Sequence, residues 1–300
     1  FKLIGGKNMG AIANLFGYLL NFLYNIFNNY GIAIIVFSVI LRIILIPVTI
    51  SQQKSIKKNE KMQEKMKEIQ RKYKNNPEKL NQETIELYKR EKMSPFSGCL
   101  TSILQLVIIL SVFWLVSQPL TYMKKIDNNL IDAYTTEMKE SGYNSNNSYV
   151  QIATIDYAET KYQEISKQLE QENVENREEL VKKQQEYNQL RLNMEFLGID
   201  LSKVPTQNLN DWRVYVIPVL YVITSIISTK LTTVTQKKKQ KQDIVVSGEE
   251  DNKEVDPTEQ MQQMSNSMMY MIPVMSVMIA IIAPLGLALY WLASNILMFI

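Results

Sequence analysis

GIAIIVFSVILRIILIPVTI, residues Gly31–Ile50, carries a single charge, on Arg42, the twelfth of its twenty residues. At about 1.5 Å per residue, a helix of this length covers the roughly 30 Å hydrocarbon core of a bilayer. The run therefore reads as a transmembrane helix with a guanidinium near its middle. An arginine at that depth costs roughly 2.5–3.5 kcal/mol or more, and arginine is not deprotonated in proteins. Water, polar side chains or a bound anion must reach the interior of the membrane domain.

The hydrophobic residues, 46% of the chain, are blocked rather than spread, which the mean hydropathy of −0.13 conceals. Uncharged stretches recur at Cys99–Met123, Val214–Thr229 and Asn266–Ile300, the last thirty-five residues long and interrupted by Pro284 and Gly286. A stretch of that length holds two spans. The expected fold is an all-α polytopic membrane protein with five transmembrane helices, at 31–50, 99–120, 211–230, 267–283 and 284–300.

Orientation follows from where Lys and Arg lie, not from the net charge of +3. Residues Ser51–Pro95 hold thirteen Lys/Arg against seven Asp/Glu, and Lys237, Lys238, Lys239 and Lys241 follow the third span. Both loops, 51–95 and 231–266, are expected on the cytoplasmic side. Residues Thr121–Glu195 carry nine basic and fourteen acidic residues, which suits the opposite side. The N-terminus is then outside and the C-terminus cytoplasmic.

Residues 1–30 read as an amphipathic interfacial helix, with Phe16, Leu19, Leu20, Leu23 and Phe27 on one side and Asn14, Asn21, Asn25 and Asn28 on the other, an early start to the first membrane helix being the alternative. In the 51–95 segment, Met62, Met66, Ile69 and Tyr73 form one narrow stripe and Leu80, Leu87 and Tyr88 another, separated by Asn75-Asn76-Pro77. Two such seams predict an antiparallel helical hairpin. Its excess of lysine suits anionic lipid head groups, ribosomal RNA or a partner protein equally well. The polar insert at 121–195 divides into an irregular first part, through GYNSNNS at 142–148, and a long helix or helical pair from Ala158 to Leu192. Asp211-Trp212 fits an interfacial anchor ahead of the third span.

Seven methionines fall between Met261 and Met278, with Met268, Met271, Met275 and Met278 close to one helical face. Such a face accommodates varied apolar side chains, although lipid contact alone accounts for it equally well. The last span places Tyr290, Trp291 and Asn295 inside the membrane, and Gln105 lies about six residues into the second span. A glutamine there serves helix packing or a hydrated cavity. The chain has one cysteine, Cys99, and no histidine, so an internal disulfide and imidazole chemistry are excluded. No metal, cofactor or catalytic residue is expected. Phe1 stands where an initiator methionine would, and a cleaved or trimmed export segment is expected ahead of it.

The series LRIILIP (41–47), SQQKS (51–55), MKEIQRKYKNNPEKL (66–80), LYKRE (87–91), SPFSGCLTSILQ (94–105), FLGIDL (196–201) and PLGLALYWLASN (284–295) resembles the YidC/Oxa/Alb family of membrane protein insertases. The resemblance implies a hydrophilic groove between the five spans, open to the cytoplasm and the bilayer and closed outside. Its arginine would be Arg42, attracting polar or acidic parts of an incoming chain. Gln105, Trp291, Asn295, Tyr290 and Ser38 are the other groove candidates. The second and fourth spans would form a greasy slide, which gives Met268, Met271, Met275 and Met278 a role in lateral release.

The chain departs from the family pattern at Val107, where a proline is usual, and in the long insert at 124–193. The short segment before the first span leads to the expectation of a Gram-positive type, in the bacterial plasma membrane. The implied activity is insertion and folding of nascent membrane proteins without covalent chemistry. The ribosome, the Sec translocon and the lipid bilayer are candidate partners, and DNA is not. A solute transporter built on Arg42 lacks an inverted repeat and an acidic residue within a span. An intramembrane protease lacks histidine and a membrane-embedded aspartate.

Overall fold

The computed structural model describes residues 7–73, 76–91, 97–143, 149–171, 176–228, 230, 275 and 277–297, with backbone alone for a few of these, including 97–106. The protein is mostly helical and divides into two compact units, residues 1–40, 111–250 and 268–300 in the first, and 41–110 with 251–267 in the second. Among the described residues, two helical stretches, Gly10–Phe27 and Tyr30–Ser55, are long and apolar enough to cross a membrane; Val107–Ser117, Trp212–Ser228 and Leu285–Ile296 are shorter apolar helices.

In the first unit, α1 (Lys7–Phe27) buries Ala13, Gly17, Leu20 and Leu23. Leu15, Tyr18, Phe22 and Ile26 form a second apolar row at helical spacing and stay exposed. The helix therefore has two apolar rows, one packed and one open, and not the single apolar face expected from Phe16, Leu19, Leu20, Leu23 and Phe27. It stops at Asn28, whose positive φ of 47° suits asparagine after a helix end. The next helix, α2 (Tyr30–Lys72), starts one residue after Asn29, whose side-chain oxygen accepts from the Ile32 amide at 3.1 Å. Its buried row, Tyr30, Ala33, Ile34, Phe37, Ser38 and Leu41, follows the helical repeat. α2 continues through Ile50 and Ser51, so the polarity changes there while the backbone does not.

The end of α4 (Ser97–Ser117) leads through Gln118 into the short α5 (Pro119–Tyr122). The insert then builds three helices, α6 (Asn128–Glu140), α7 (Val150–Leu169) and α8 (Arg177–Leu190). The expectation of an irregular first part is corrected by α6. Asp127 caps it by accepting from the Asn129 amide at 2.8 Å, and Ile131, Tyr134, Thr135 and Met138 make its buried face. The polar residues between them concealed that period. The 144–148 part of GYNSNNS lies outside the described residues. Aromatic hydroxyls and carboxylates bind the three helices: Tyr157 donates to Glu137 at 2.9 Å, Tyr187 donates to the same oxygen, and Tyr134 donates to Glu186. A buried Thr135–Thr154 hydroxyl pair at 3.0 Å joins α6 to α7.

After α8 comes a two-stranded hairpin, β1 (Glu195–Phe196) with β2 (Ile199–Asp200), turning at Leu197 and Gly198. Two short 3-10 turns, Pro205–Gln207 and Trp212–Tyr215, lead into α9 (216–228). A further helical segment, α10 (277–282), stops at Ala283, and Pro284 opens α11 (Leu285–Ile296). The break falls where proline lacks a donor for a continuing helix. The first amides of α11 are satisfied by the 194–205 segment, Leu285 N–H donating to Lys203 O and Gly286 N–H to Leu201 O, both at 3.0 Å. A Cβ on Gly286 would stand 3.4 Å from the Tyr30 ring, so glycine permits this close approach.

In the second unit, the later part of α2 packs antiparallel to α3 (Pro77–Arg90), burying Met62 and Leu87. Tyr73 donates to Glu83 at 3.2 Å near the turn, Thr84 to the Met66 sulfur at 3.5 Å, and Lys65 pairs with Glu91 at the open end. Asn76 caps α3 by accepting from the Lys79 amide at 3.1 Å.

Candidate functional site

Arg42 lies in α2, half-buried, beside the exposed side chains of Ile43, Ile44 and Ile46. Among the described residues it has no hydrogen-bond or ion-pair partner. One helical turn earlier, Ser38 is buried, and its hydroxyl donates to Ile34 O at 2.7 Å. That bond commits the Ser38 proton to the helix backbone and leaves only acceptor capacity. Arg42 belongs to the second unit and Ser38 to the first.

The last helix groups a second set. Trp291 and Asn295 are half-buried and four residues apart, hence on one face of α11, while Tyr290 is buried. The Trp291 ring lies 6.0 Å from that of Tyr221 on α9, tilted by 33°. Tyr221 joins the inward row Val214, Ile217, Tyr221 and Ser225. It was missed in the sequence, although an aromatic hydroxyl four residues before a serine inside an apolar run was the available signal. Met275 and Met278 are both exposed, as methionines facing lipid or a passing apolar chain would be. Met268, Met271 and the side chain of Gln105 lie outside the described residues.

The first unit also contains a polar cleft of about 800 Å³, lined among others by Lys124, Asp156, Glu159, Arg191, Asp200 and Lys203. Its charges are largely matched internally. Arg191 donates to both oxygens of Glu159, at 2.6 and 3.0 Å, and its guanidinium lies 3.6 Å from the centre of the Tyr162 ring. Lys124 donates to Arg191 O at 2.8 Å and Gln189 O at 2.5 Å, carbonyls at the end of α8, where cations are favoured. Burial and the neighbouring Arg191 charge push the Lys124 ammonium down to about 8. For Glu159, burial acts upward, but the bonds from Arg191 and Gln163 hold the carboxyl below its ordinary value. Burial raises the Asp156 carboxyl, a bond from Tyr143 opposes this, and the Asp200 charge adds to it.

The model of the 60Kd inner membrane protein family matches residues 22–300. Three similar proteins carry the name membrane protein insertase YidC. That of Caldanaerobacter subterraneus subsp. tengcongensis is 43% identical over 105 residues, 35% of this chain and 51% of the relative. The proteins of Buchnera aphidicola and Syntrophus aciditrophicus are 42% and 43% identical over 97 and 94 residues, 32% and 31% of this chain and 18% and 17% of theirs. The matched stretch thus spans about half of the first relative and less than a fifth of the other two. Since the family match runs from within α1 through α11 and takes in the long apolar helix that carries Arg42, the chain belongs to the 60Kd inner membrane protein family, the YidC/Oxa/Alb family.

Proposed function

We propose that the chain is a membrane protein insertase that lowers the barrier for moving a polar segment of a nascent chain across the bilayer. The observation that carries this is Arg42: a fixed positive charge within the apolar helical stretch Tyr30–Ser55, without a partner among the described residues. The printed names of the relatives support it. In this reading five spans, with the N-terminus outside and the C-terminus cytoplasmic, surround a hydrated groove open to the cytoplasm. Arg42 attracts acidic or polar substrate segments there, with Gln105, Trp291, Asn295, Tyr290 and Ser38 lining the path. The methionines at 268, 271, 275 and 278 guide the apolar segment toward lipid. The 51–95 hairpin is then cytoplasmic, where a ribosome or the Sec translocon meets it, and the 121–195 insert is extracytoplasmic.

No bond is made or broken in this process, so the work is electrostatic and solvational. A charge-assisted hydrogen bond is worth roughly 1.5–3 kcal/mol. Arg42→Ala should therefore slow insertion of a substrate with an acidic translocated tail by about tenfold or more in a reconstituted vesicle assay, with little effect on a tail lacking acidic residues. Arg42→Lys should retain much of the activity where charge alone matters, and little where the planar fork is needed. Unchanged insertion of every acidic-tailed substrate by Arg42→Ala would overturn the electrostatic part. Crosslinks to a stalled nascent chain from positions 42, 105 and 291, and weak ones from the insert, would mark the path.

A further inference from the structure

The 196–213 connection exposes apolar side chains that no described residue covers. Among the described residues, Leu197, Trp212 and Leu209 are the three most exposed large hydrophobics, at 86%, 73% and 69%. Leu197 also adopts a φ of 51°, a left-handed conformation better suited to glycine or asparagine than to leucine. Gly198 follows at φ 77°. The strand turn therefore holds a leucine outward in a backbone state that leucine disfavours, with no packing in return.

The same connection is fastened to the start of α9. Arg213 donates to Gly198 O at 3.3 Å and to both oxygens of Asp211, at 2.9 and 3.2 Å, while Lys203 donates to Asp211 at 3.0 Å. The tip of the hairpin and the segment carrying Trp212 thus form one piece, in which Lys203 and Arg213 share the Asp211 carboxylate and Asp200 accepts from Ser202. Beyond that point the outward residues are Val219, Leu220, Ile223, Ile226 and Ile227, all apolar. Four residues of 3-10 helix followed by the thirteen residues of α9 rise about 28 Å, against a hydrocarbon core of roughly 30 Å. A crossing by α9 uses most of this length, so Trp212 stands near the hydrocarbon boundary; Leu197 is tied to that level through the Arg213–Gly198 bond, and Leu209 lies three residues before Trp212.

We propose that Leu197, Leu209 and Trp212 form a wedge that inserts into the lipid–water interface at the start of α9 and fixes the depth of that helix. The occupant of this surface is lipid, because the exposed apolar row of α9 continues directly from Trp212 and both adjoining cations, Lys203 and Arg213, are held by the Asp211 carboxylate. The wedge rests on the crossing of the membrane by α9 and not on insertase activity.

The test uses single cysteines at 197 and 209 in the full chain with Cys99→Ser, reconstituted in phosphatidylcholine–phosphatidylglycerol vesicles at two protein-to-lipid ratios. The readout is the rate of modification by a charged maleimide. Lys182→Cys, on an exposed position of α8, is the aqueous reference, and Ile223→Cys is the lipid reference. Leu197→Cys and Leu209→Cys should react at least tenfold more slowly than Lys182→Cys at both ratios. Reaction as fast as at 182, with 223 still protected, overturns the wedge and leaves the crossing intact. Fast reaction at 223 as well overturns the crossing and the wedge together. Protection lost on dilution in lipid assigns the surface to a second copy of the chain and likewise overturns the proposal.

Discussion

Gly17→Ala should loosen the first unit at the contact between α1 and α5. A Cβ built on Gly17 would stand 2.6 Å from the carbonyl carbon of Tyr122 and 3.3 Å from the Met123 amide nitrogen, with the Tyr122 carbonyl oxygen nearer still. These are backbone atoms, so no rotamer change relieves them. Ordinary contact begins at 3.4 Å, so α1 must retreat by at least about 0.8 Å. A gap of that size forfeits a quarter to a half of the dispersion attraction across it. The packed face includes Leu20 and Leu23, each worth roughly 1.5–3 kcal/mol when buried, so the loss is about 1–3 kcal/mol. Alanine recovers about 1 kcal/mol of helix propensity. The net destabilisation of about 0–2 kcal/mol corresponds to a fall in Tm of up to roughly 4–8 °C for a unit of this size, and Gly17→Ala stands about 1–3 kcal/mol below an alanine that meets nothing. Thermal unfolding in mild detergent, followed by loss of the monodisperse peak, measures it. Gly10→Ala is the control, since its Cβ would meet only the Tyr122 hydroxyl at 3.9 Å, and it should raise Tm slightly. Equal stability of Gly17→Ala and Gly10→Ala would refute the close backbone approach.

Two further outcomes are read by the same unfolding measurement. The buried hydroxyl of Tyr30 has no hydrogen-bond partner among the described residues, so Tyr30→Phe should stabilise the protein by about 1–3 kcal/mol, and a loss of stability would show that the hydroxyl is engaged. Asp156 has its carboxyl raised by burial, so the folded state holds its proton above the unfolded value of about 3.9. Stability from this group is therefore highest below that value and falls as pH rises through the raised one. Asp156→Asn should flatten this decline, and an unchanged pH profile would count against it.

Fold features governed by local chemistry were legible in the sequence. Pro284 ends one helix and begins another because it has no amide hydrogen, whatever surrounds it. The antiparallel seam between Met66 and Thr84 follows from two narrow apolar stripes and the Asn-Asn-Pro break between them. Features set by tertiary contact were not legible. The packed row of α1 is chosen by the Tyr122 backbone beside Gly17, and a competing row through Leu15, Tyr18, Phe22 and Ile26 has the same period. α6 is stabilised by tyrosines that satisfy their hydroxyls on Glu137 and Glu186, and such residues look polar when only sequence is read. Arg42 stood out because a single charge interrupts an otherwise apolar run. Tyr221 did not, because its contact with Trp291 is made by tertiary packing.

The contrast between the charges of the first unit and Arg42 bears on the proposed mechanism. Arg191, Lys203 and Arg213 are each held by a carboxylate, Glu159 or Asp211, and Lys124 by two carbonyls. Such charges fix structure, because a second carboxylate approaching them must displace the first for little net gain. A resident carboxylate beside Arg42 would likewise lower the cost of placing a guanidinium among isoleucines, by the same charge-assisted bonds that an acidic substrate segment would make. The two effects compete for one fork of donors. An arginine solvated by water alone keeps the full difference between water and carboxylate available to an incoming segment, and that difference grows as the surroundings become less polar. In the proposed mechanism, the cost of leaving Arg42 without a counter-charge among the described residues is what makes its attraction selective for the chain being moved.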